Sequence, residues 1–218
     1  MHSVRHVKIT QSTSKRLLDI GLSLIGLVFL SPIWLAIAIA ILFEDGRPVF
    51  YRQLRIGKGG RPFEVIKFRS MVKDAEKFTG PILASENDPR VTKVGKFLRA
   101  TALDELPQLL NILRGEMSFV GPRPERPELI EKIKEICPAF SKRHAVKPGL
   151  TGLAQVYGSY DTPPHRKLKY DLLYIRKWSF CLDLKLIFLS LVVTIKGKWE
   201  CRGKKFPRKK ISVFQLST

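Results

Sequence analysis

One segment constrains this chain more than any other. Residues 17–43 are strongly apolar, interrupted by Asp19 near the start and by Ser31-Pro32 near the middle. As one straight helix the segment would measure roughly 40 Å, enough to cross a bilayer. It is too long for the core of a cleavable signal peptide and no small-residue cleavage site follows, so no cleavable signal is expected. Pro32 lacks an N–H and clashes with the carbonyl of Val28, which favours a kink. Lys15 and Arg16 precede the segment, and Arg47, Arg52, Arg55 and Lys58 follow it. The positive-inside rule then places both ends on the cytoplasmic face. A helix bent at Ser31-Pro32 meets both constraints, because arms of roughly 16–21 Å fall short of the ~30 Å hydrocarbon core. The segment alone leaves two readings open, a re-entrant bend and a spanning helix with a proline kink.

The charge balance points to an anionic partner. Lys and Arg number 39 against 19 Asp and Glu, a net charge of +20 over 218 residues. Nucleic acid, anionic lipid and a phosphorylated substrate all suit such a chain. The excess concentrates at the ends. Residues 1–16 carry Arg5, Lys8, Lys15 and Arg16 without an acid, and residues 198–210 carry seven basic residues against Glu200. Disorder is excluded by an apolar content of 44%. Cys137, Cys181 and Cys201 are odd in number and scattered, which excludes a disulfide scaffold.

Between the ends, 49–53 and 63–68 read as strands of a hairpin turned at Gly57-Lys58-Gly59-Gly60. Helices are predicted over 71–78, 94–99, 105–113 (stopped by Gly115), 127–136 and 165–178. Lys147-Pro148-Gly149 is predicted as a turn. Residues 180–195 are apolar, bracketed by Trp178 and Trp199 and followed by the polybasic tail. They read as an interfacial helix, with a buried core helix as the alternative.

Common catalytic motifs are missing. Gly57-Lys58 is followed by Gly59 rather than Ser or Thr, so no P-loop forms, and no GxGxxG opens a helix. No Asp-x-Asp pair and no Gly-x-Ser-x-Gly elbow is present. Polar chemistry concentrates instead in Thr101–Gln108, Asn111, 114–118 and 120–124. Asp104 sits at an expected helix start, where the dipole favours its ionised form. An ionised Asp can attack electrophilic phosphorus. Glu105 beside it can ligate Mg²⁺ together with substrate phosphate oxygens. Arg123, between two prolines, can grip phosphate bidentately. The plainer alternative makes Asp104 an N-cap and Arg123 a surface residue.

Eight stretches, in order, carry a resemblance: Lys15-Arg16-x-x-Asp19; Ser31-Pro32; Pro48-Val49-Phe50-Tyr51-Arg52-Gln53-x-Arg55-x-Gly57; Lys67-Phe68-Arg69-Ser70-Met71; Asp88-Pro89-Arg90-Val91-Thr92; Leu103-Asp104-Glu105-Leu106-Pro107-Gln108; Gly121-Pro122-Arg123-Pro124; and Pro148-Gly149-Leu150-Thr151-Gly152. Together they resemble the bacterial sugar transferase family, the small monotopic polyprenol-phosphate phosphoglycosyl transferases.

The resemblance implies an enzyme that moves a sugar-1-phosphate from a UDP-sugar to undecaprenyl phosphate, releasing UMP and starting a glycoconjugate. It implies Asp104 as nucleophile and Glu105 as support for Mg²⁺ and the reaction. Arg123 would bind phosphate, with Lys67 and Arg99 as weaker candidates. Ser31-Pro32 would be the re-entrant bend, and Lys15 and Arg16 would contact lipid headgroups. The chain is expected to be without the extra spanning helices of larger members. Leu153 and Tyr157 stand where the family often has Trp and Asn, and Ser159 where Arg is frequent, so contacts of the 151–160 loop do not carry over.

The expected fold is α+β: mainly helical with a β-hairpin, an N-terminal re-entrant membrane helix and interfacial amphipathic helices. Its parts are a basic segment and re-entrant helix (1–46), a catalytic domain on the cytosolic face (47–197) and a polybasic tail (198–218). The expected location is the cytoplasmic face of a bacterial inner membrane, on anionic lipid; a homo-oligomer stays open. Two other readings compete. A nucleic-acid-binding protein would explain the charge but not residues 17–43, and no nucleic-acid motif is visible. An inactive family member acting as a membrane scaffold is opposed by the intact Asp104, Glu105 and Arg123.

Overall fold

The computed structural model describes residues 13–77, 80, 88–158 and 162–195. The basic residues before 13 and the 198–218 tail lie outside the described residues.

The apolar segment forms two helices, α1 (Thr13–Phe29) and α2 (Ser31–Asp45), bent by 61° at Leu30. The Ser-Pro pair explains the break. Pro32 cannot donate to the Val28 carbonyl four residues back, and the Ser31 hydroxyl donates to it instead at 2.8 Å. Among the described residues no single helix is long and apolar enough to cross a membrane; the pair qualifies only jointly.

α1 is patterned inside out. Lys15, Asp19 and Ser23, spaced four apart, form its buried stripe, while Leu24, Ile25, Val28 and Phe29 are exposed. A surface helix in water shows the opposite arrangement. Gly26 permits close packing against Leu109. The exit of α2 is held by side chains: Arg69 Nη2 donates to the carbonyls of Asp45 (2.9 Å) and Gly46 (2.7 Å). Glu44 accepts from the N–H groups of Lys93 (2.6 Å) and Val94 (2.8 Å), which ties α2 to the start of α3 (Lys93–Ala100).

The hairpin forms as β1 (Phe50–Ile56) and β2 (Pro62–Phe68), antiparallel, with Phe50 opposite Phe68 and Ile56 opposite Pro62. The predicted helix over 71–78 is absent. Met71 bridges to Val91, and residues 73–77 form turns. Asp74 adopts φ 58°, which a right-handed helix cannot contain; Phe78 lies outside the described residues. The helix predicted from 105 is divided. A 3₁₀ turn covers Leu103–Glu105, and α4 (Gln108–Arg114) starts after Pro107 and ends at Gly115 with φ 82°.

β3 (Ser118–Val120) follows, then α5 (Pro127–Ile136) and a 3₁₀ segment, Pro138–Ala145. The predicted turn at Lys147-Pro148-Gly149 instead leads straight into β4 (Gly149–Thr151), which pairs in parallel with β3. A Cβ on Gly149 would collide with the backbone nitrogen of Gly121, so this pairing requires glycine. Short α6 (Leu153–Tyr157), α7 (Pro164–Lys177) and α8 (Phe180–Ile195) complete the described chain. Leu186 of α8 packs with Val120, Leu153, Tyr174 and Ile175, while Leu184, Phe188 and Leu191 are exposed. The helix is thus buried along one side and apolar along the other.

Candidate active site

α3 ends at Thr101, and Ala102 turns the chain through a left-handed conformation, φ 56°. The following 3₁₀ turn carries Asp104 and Glu105, both buried. Asp104 is not a cap: α4 begins at Pro107 without a side-chain hydrogen bond. The N-cap alternative is therefore set aside by the geometry.

Two cations grip Glu105. Lys67 Nζ donates to Oε1 at 2.6 Å, and Arg123 approaches with Nη2 2.5 Å from Oε1 and Nη1 3.3 Å from Oε2. Lys67 Nζ also lies 3.9 Å from Asp104 Oδ2. Arg99, in the last turn of α3, acts on Asp104 through its charge. The five residues proposed for catalysis and phosphate binding therefore converge, although they come from β2, α3, the 3₁₀ turn and the loop after β3.

The two adjacent acids behave differently. Burial raises the Asp104 carboxyl well above the usual carboxylate range, and the charge of Glu105 adds to that rise against the pull of Lys67, Arg99 and Arg123. Burial works on Glu105 in the same direction, but Arg123 and Lys67 outweigh it and hold Glu105 far below its ordinary value. Glu105 stays ionised and fixes the cations; Asp104 is the acid that titrates. An entering phosphate would meet Lys67, Arg99 and Arg123 beside a carboxylate able to act as a nucleophile.

Among the described residues no group of three or more His, Cys, Asp and Glu side chains could hold a metal. The donor set is the two carboxylates, with Glu105 Oε2 the less engaged oxygen. Mg²⁺ bound through one or two carboxylates plus substrate phosphates requires no more.

Lys15 and Arg16 differ from expectation. Lys15 is buried: its Nζ lies 2.6 Å from Asp183 Oδ2 and donates to Val120 O (3.1 Å) and Tyr174 Oη (3.2 Å). Arg16 donates to the carbonyls of Ile112 and Leu113, both at 2.6 Å, closing the end of α4. Their partners are main-chain carbonyls and a buried acid rather than headgroups. A charge within an apolar helix must find a partner, and here the partners lie inside the fold. Asp19 likewise accepts from Ser118 Oγ and Phe119 N, both at 3.0 Å, fixing α1 to β3.

Sequence reading gave no role to Asn111. Fully buried in α4, it accepts from Ile66 N (3.0 Å) and donates to Glu64 O and Glu116 Oε2 (both 2.7 Å), so α4 is stitched to the strand that carries Lys67. An Asn within an apolar helical pattern was the available signal. Arg55 and Arg143, which support the Arg123 loop, were also missed.

Comparison with known proteins shows the family. The family model described as bacterial sugar transferase matches residues 10–197. A UDP-glucose:undecaprenyl-phosphate glucose-1-phosphate transferase of Klebsiella pneumoniae is 50% identical over 81% of this chain and 39% of its own length. A UDP-N-acetylgalactosamine-undecaprenyl-phosphate N-acetylgalactosaminephosphotransferase of Aeromonas hydrophila is 40% identical over 84% of this chain and 44% of its own. The exopolysaccharide production protein ExoY of Sinorhizobium fredii is 36% identical over 82% and 84% respectively. The chain thus spans about two-fifths of the first two relatives and most of the third. With residues 10–197 matched and the acid pair and its three cations gathered in one place, this chain belongs to the bacterial sugar transferase family.

Proposed function

We propose that this protein transfers a sugar-1-phosphate from a UDP-sugar to undecaprenyl phosphate, the first membrane step of glycoconjugate synthesis. The observation that carries the reading is the buried Asp104–Glu105 pair with Lys67, Arg99 and Arg123 around it. Three cations suit a diphosphate, and a carboxylate of raised pKa among them suits attack on phosphorus. Asp104 attacks the phosphorus bonded to the sugar, an Asp–O–P bond forms, the P–O–P bond breaks and UMP leaves. An oxygen of undecaprenyl phosphate then attacks the same phosphorus and Asp104 departs as carboxylate, leaving a lipid diphosphate sugar. Glu105 keeps Arg123 and Lys67 in place in both steps. Mg²⁺, held through Glu105 and substrate phosphates, would supply charge neutralisation.

Two of the relatives named above, those of Klebsiella pneumoniae and Aeromonas hydrophila, act on UDP-glucose and UDP-N-acetylgalactosamine with undecaprenyl phosphate, which supports the substrate class. UMP release from a panel of UDP-sugars, with and without undecaprenyl phosphate, tests it. At least one sugar should give lipid-dependent turnover, and no turnover with any would favour the scaffold reading.

Ionised Asp104 is the reactive form, so kcat/KM should fall on acidification through a limb lying above the ordinary Asp value. Lys67→Met removes a cation that favours the ionised form, so that limb should move to higher pH. A limb that stays in place would separate Asp104 ionisation from the rate.

The bent, outwardly apolar α1–α2 pair supports a re-entrant insertion from the cytoplasmic face, with α8 at the interface. In a cysteine-free background, single cysteines at Ser14 and Lys58 should both be protected from an impermeant thiol reagent in intact spheroplasts. Labelling at Ser14 alone would mean a true crossing. Pro32→Leu restores a donor to Val28 O and should straighten the pair.

A further inference from the structure

Residues 122–125, Pro-Arg-Pro-Glu, lie in no helix or strand, and two of the four have no N–H to give. Such a stretch cannot fix its own shape by regular hydrogen bonding. Yet four successive carbonyls accept bonds from elsewhere. Pro122 O accepts from Gly149 N (2.9 Å), Arg123 O from Arg143 Nη2 (2.9 Å), Pro124 O from Arg55 Nη1 (3.0 Å) and Glu125 O from Ile56 N (3.0 Å). The outer two donors are backbone groups. The inner two are guanidinium groups, and one of them takes the carbonyl of Arg123 itself.

Arg143 is an unusual residue to find there. Its side chain is 1% exposed. Its Nε donates to Asp171 Oδ2 at 2.8 Å, its guanidinium carbon lies 4.6 Å from the centre of the Phe140 ring, and its Nη1 is 3.8 Å from Glu125 Oε1. Burying a guanidinium and its partner acid is costly compared with an apolar pair of the same volume. The planar fork does what an apolar pair or a lysine cannot: it satisfies Asp171 with one edge while another N–H holds the Arg123 carbonyl.

We propose that Arg143 is a positioning residue that sets Arg123 in the site. This rests on the reading above in which Arg123 takes substrate phosphate. Arg123 is held at both ends, its main chain by Arg143 and its guanidinium by Glu105. Neither grip replaces the other: Glu105 fixes the direction of the fork, and Arg143 fixes the point from which it extends. Small misplacement of a group that must meet a reacting phosphate costs rate steeply, about 10²-fold for 1 Å.

The test is a double-mutant cycle on the full chain, reading kcat/KM for UMP release in wild type, Arg143→Lys, Arg123→Lys and the double variant. Arg143→Lys should lower kcat/KM about tenfold to a hundredfold in wild type. In the Arg123→Lys background, where the fork is already gone, it should change kcat/KM by less than about threefold. Thermal midpoints should shift equally in both backgrounds, since the Asp171 contact is lost in both. An equal kinetic loss in both backgrounds would show that Arg143 acts on the fold at large, and would overturn the proposal. So would normal kinetics of Arg143→Lys beside an impaired Arg123→Lys. Normal kinetics of Arg123→Lys would instead remove the phosphate role of Arg123, and the positioning role with it. Where Arg143→Lys does not accumulate, Asp171→Asn enters the same cycle: it keeps an acceptor for Nε but loosens the guanidinium, and the same dependence on Arg123 is expected.

Discussion

Asp104→Asn should leave a folded protein with almost no turnover, a loss of about a thousandfold or more. The amide is nearly isosteric, and no helix cap is lost, because α4 starts without a side-chain hydrogen bond. Stability should stay level or rise. The folded-state pKa of Asp104 is raised, so the unfolded chain holds the ionised form more readily than the folded one. At neutral pH the ionised carboxylate therefore weakens the fold, a burden that grows as pH rises through the unfolded pKa and levels off above the folded one. A neutral amide removes it. Reactive groups held at a cost to stability mark catalytic sites. Near-normal turnover of Asp104→Asn would overturn the mechanism while leaving family membership untouched.

Lys15→Met should produce the largest stability loss of any single change considered. The ammonium is the cation that meets Asp183 in a fully buried site, and it also donates to Val120 O and Tyr174 Oη. Asp183 keeps Tyr174 Oη (2.8 Å) and Trp178 Nε1 (3.0 Å), but two neutral donors do not replace the charge. Breaking one side of a buried pair costs about 3–5 kcal/mol. That corresponds to a fall of roughly 6–20 °C in the thermal midpoint for a chain of this size. The double variant Lys15→Met/Asp183→Leu should recover much of the loss, because no charge is left stranded. A shift below about 2 °C for Lys15→Met would place its ammonium in solvent, as a headgroup role would have it. The consequence reaches the site, since Val120 ends the strand that leads into Gly121-Pro122-Arg123.

What the sequence made legible follows the range of the interactions involved. The hairpin, the break at Ser31-Pro32 and the helices over 127–136, 165–178 and 180–195 were readable because each is dictated within a few residues by turn chemistry or apolar spacing. The proposed helix over 71–78 failed because the pattern of 71–78 gives no sign that Asp74 will turn left-handed. The parallel pairing of β3 with β4 joins residues about 30 apart in three-residue strands, too short for any periodicity to show. Local chemistry singled out Asp104, Glu105 and Arg123 as candidates, and motif order supplied the roles that the resemblance implies for them. Sequence alone placed Asp104 at a helix start, whereas Pro107 and Ala102 put it inside a 3₁₀ turn. Lys15 and Arg16 were assigned outward because basic residues beside an apolar helix usually meet headgroups. Their partners, Asp183 and the carbonyls of Ile112 and Leu113, are remote in sequence. Arg143 and Asn111 went unread for the same reason.

The most direct measurement of the central claim is covalent capture. The full chain is incubated with a turned-over UDP-sugar carrying labelled phosphorus next to the sugar, with acceptor lipid withheld. The label should attach to the protein, map to Asp104, disappear on adding undecaprenyl phosphate and be absent from Asp104→Asn. Turnover to lipid product with no labelled protein at any time, or with label on another residue that persists in Asp104→Asn, would contradict the account.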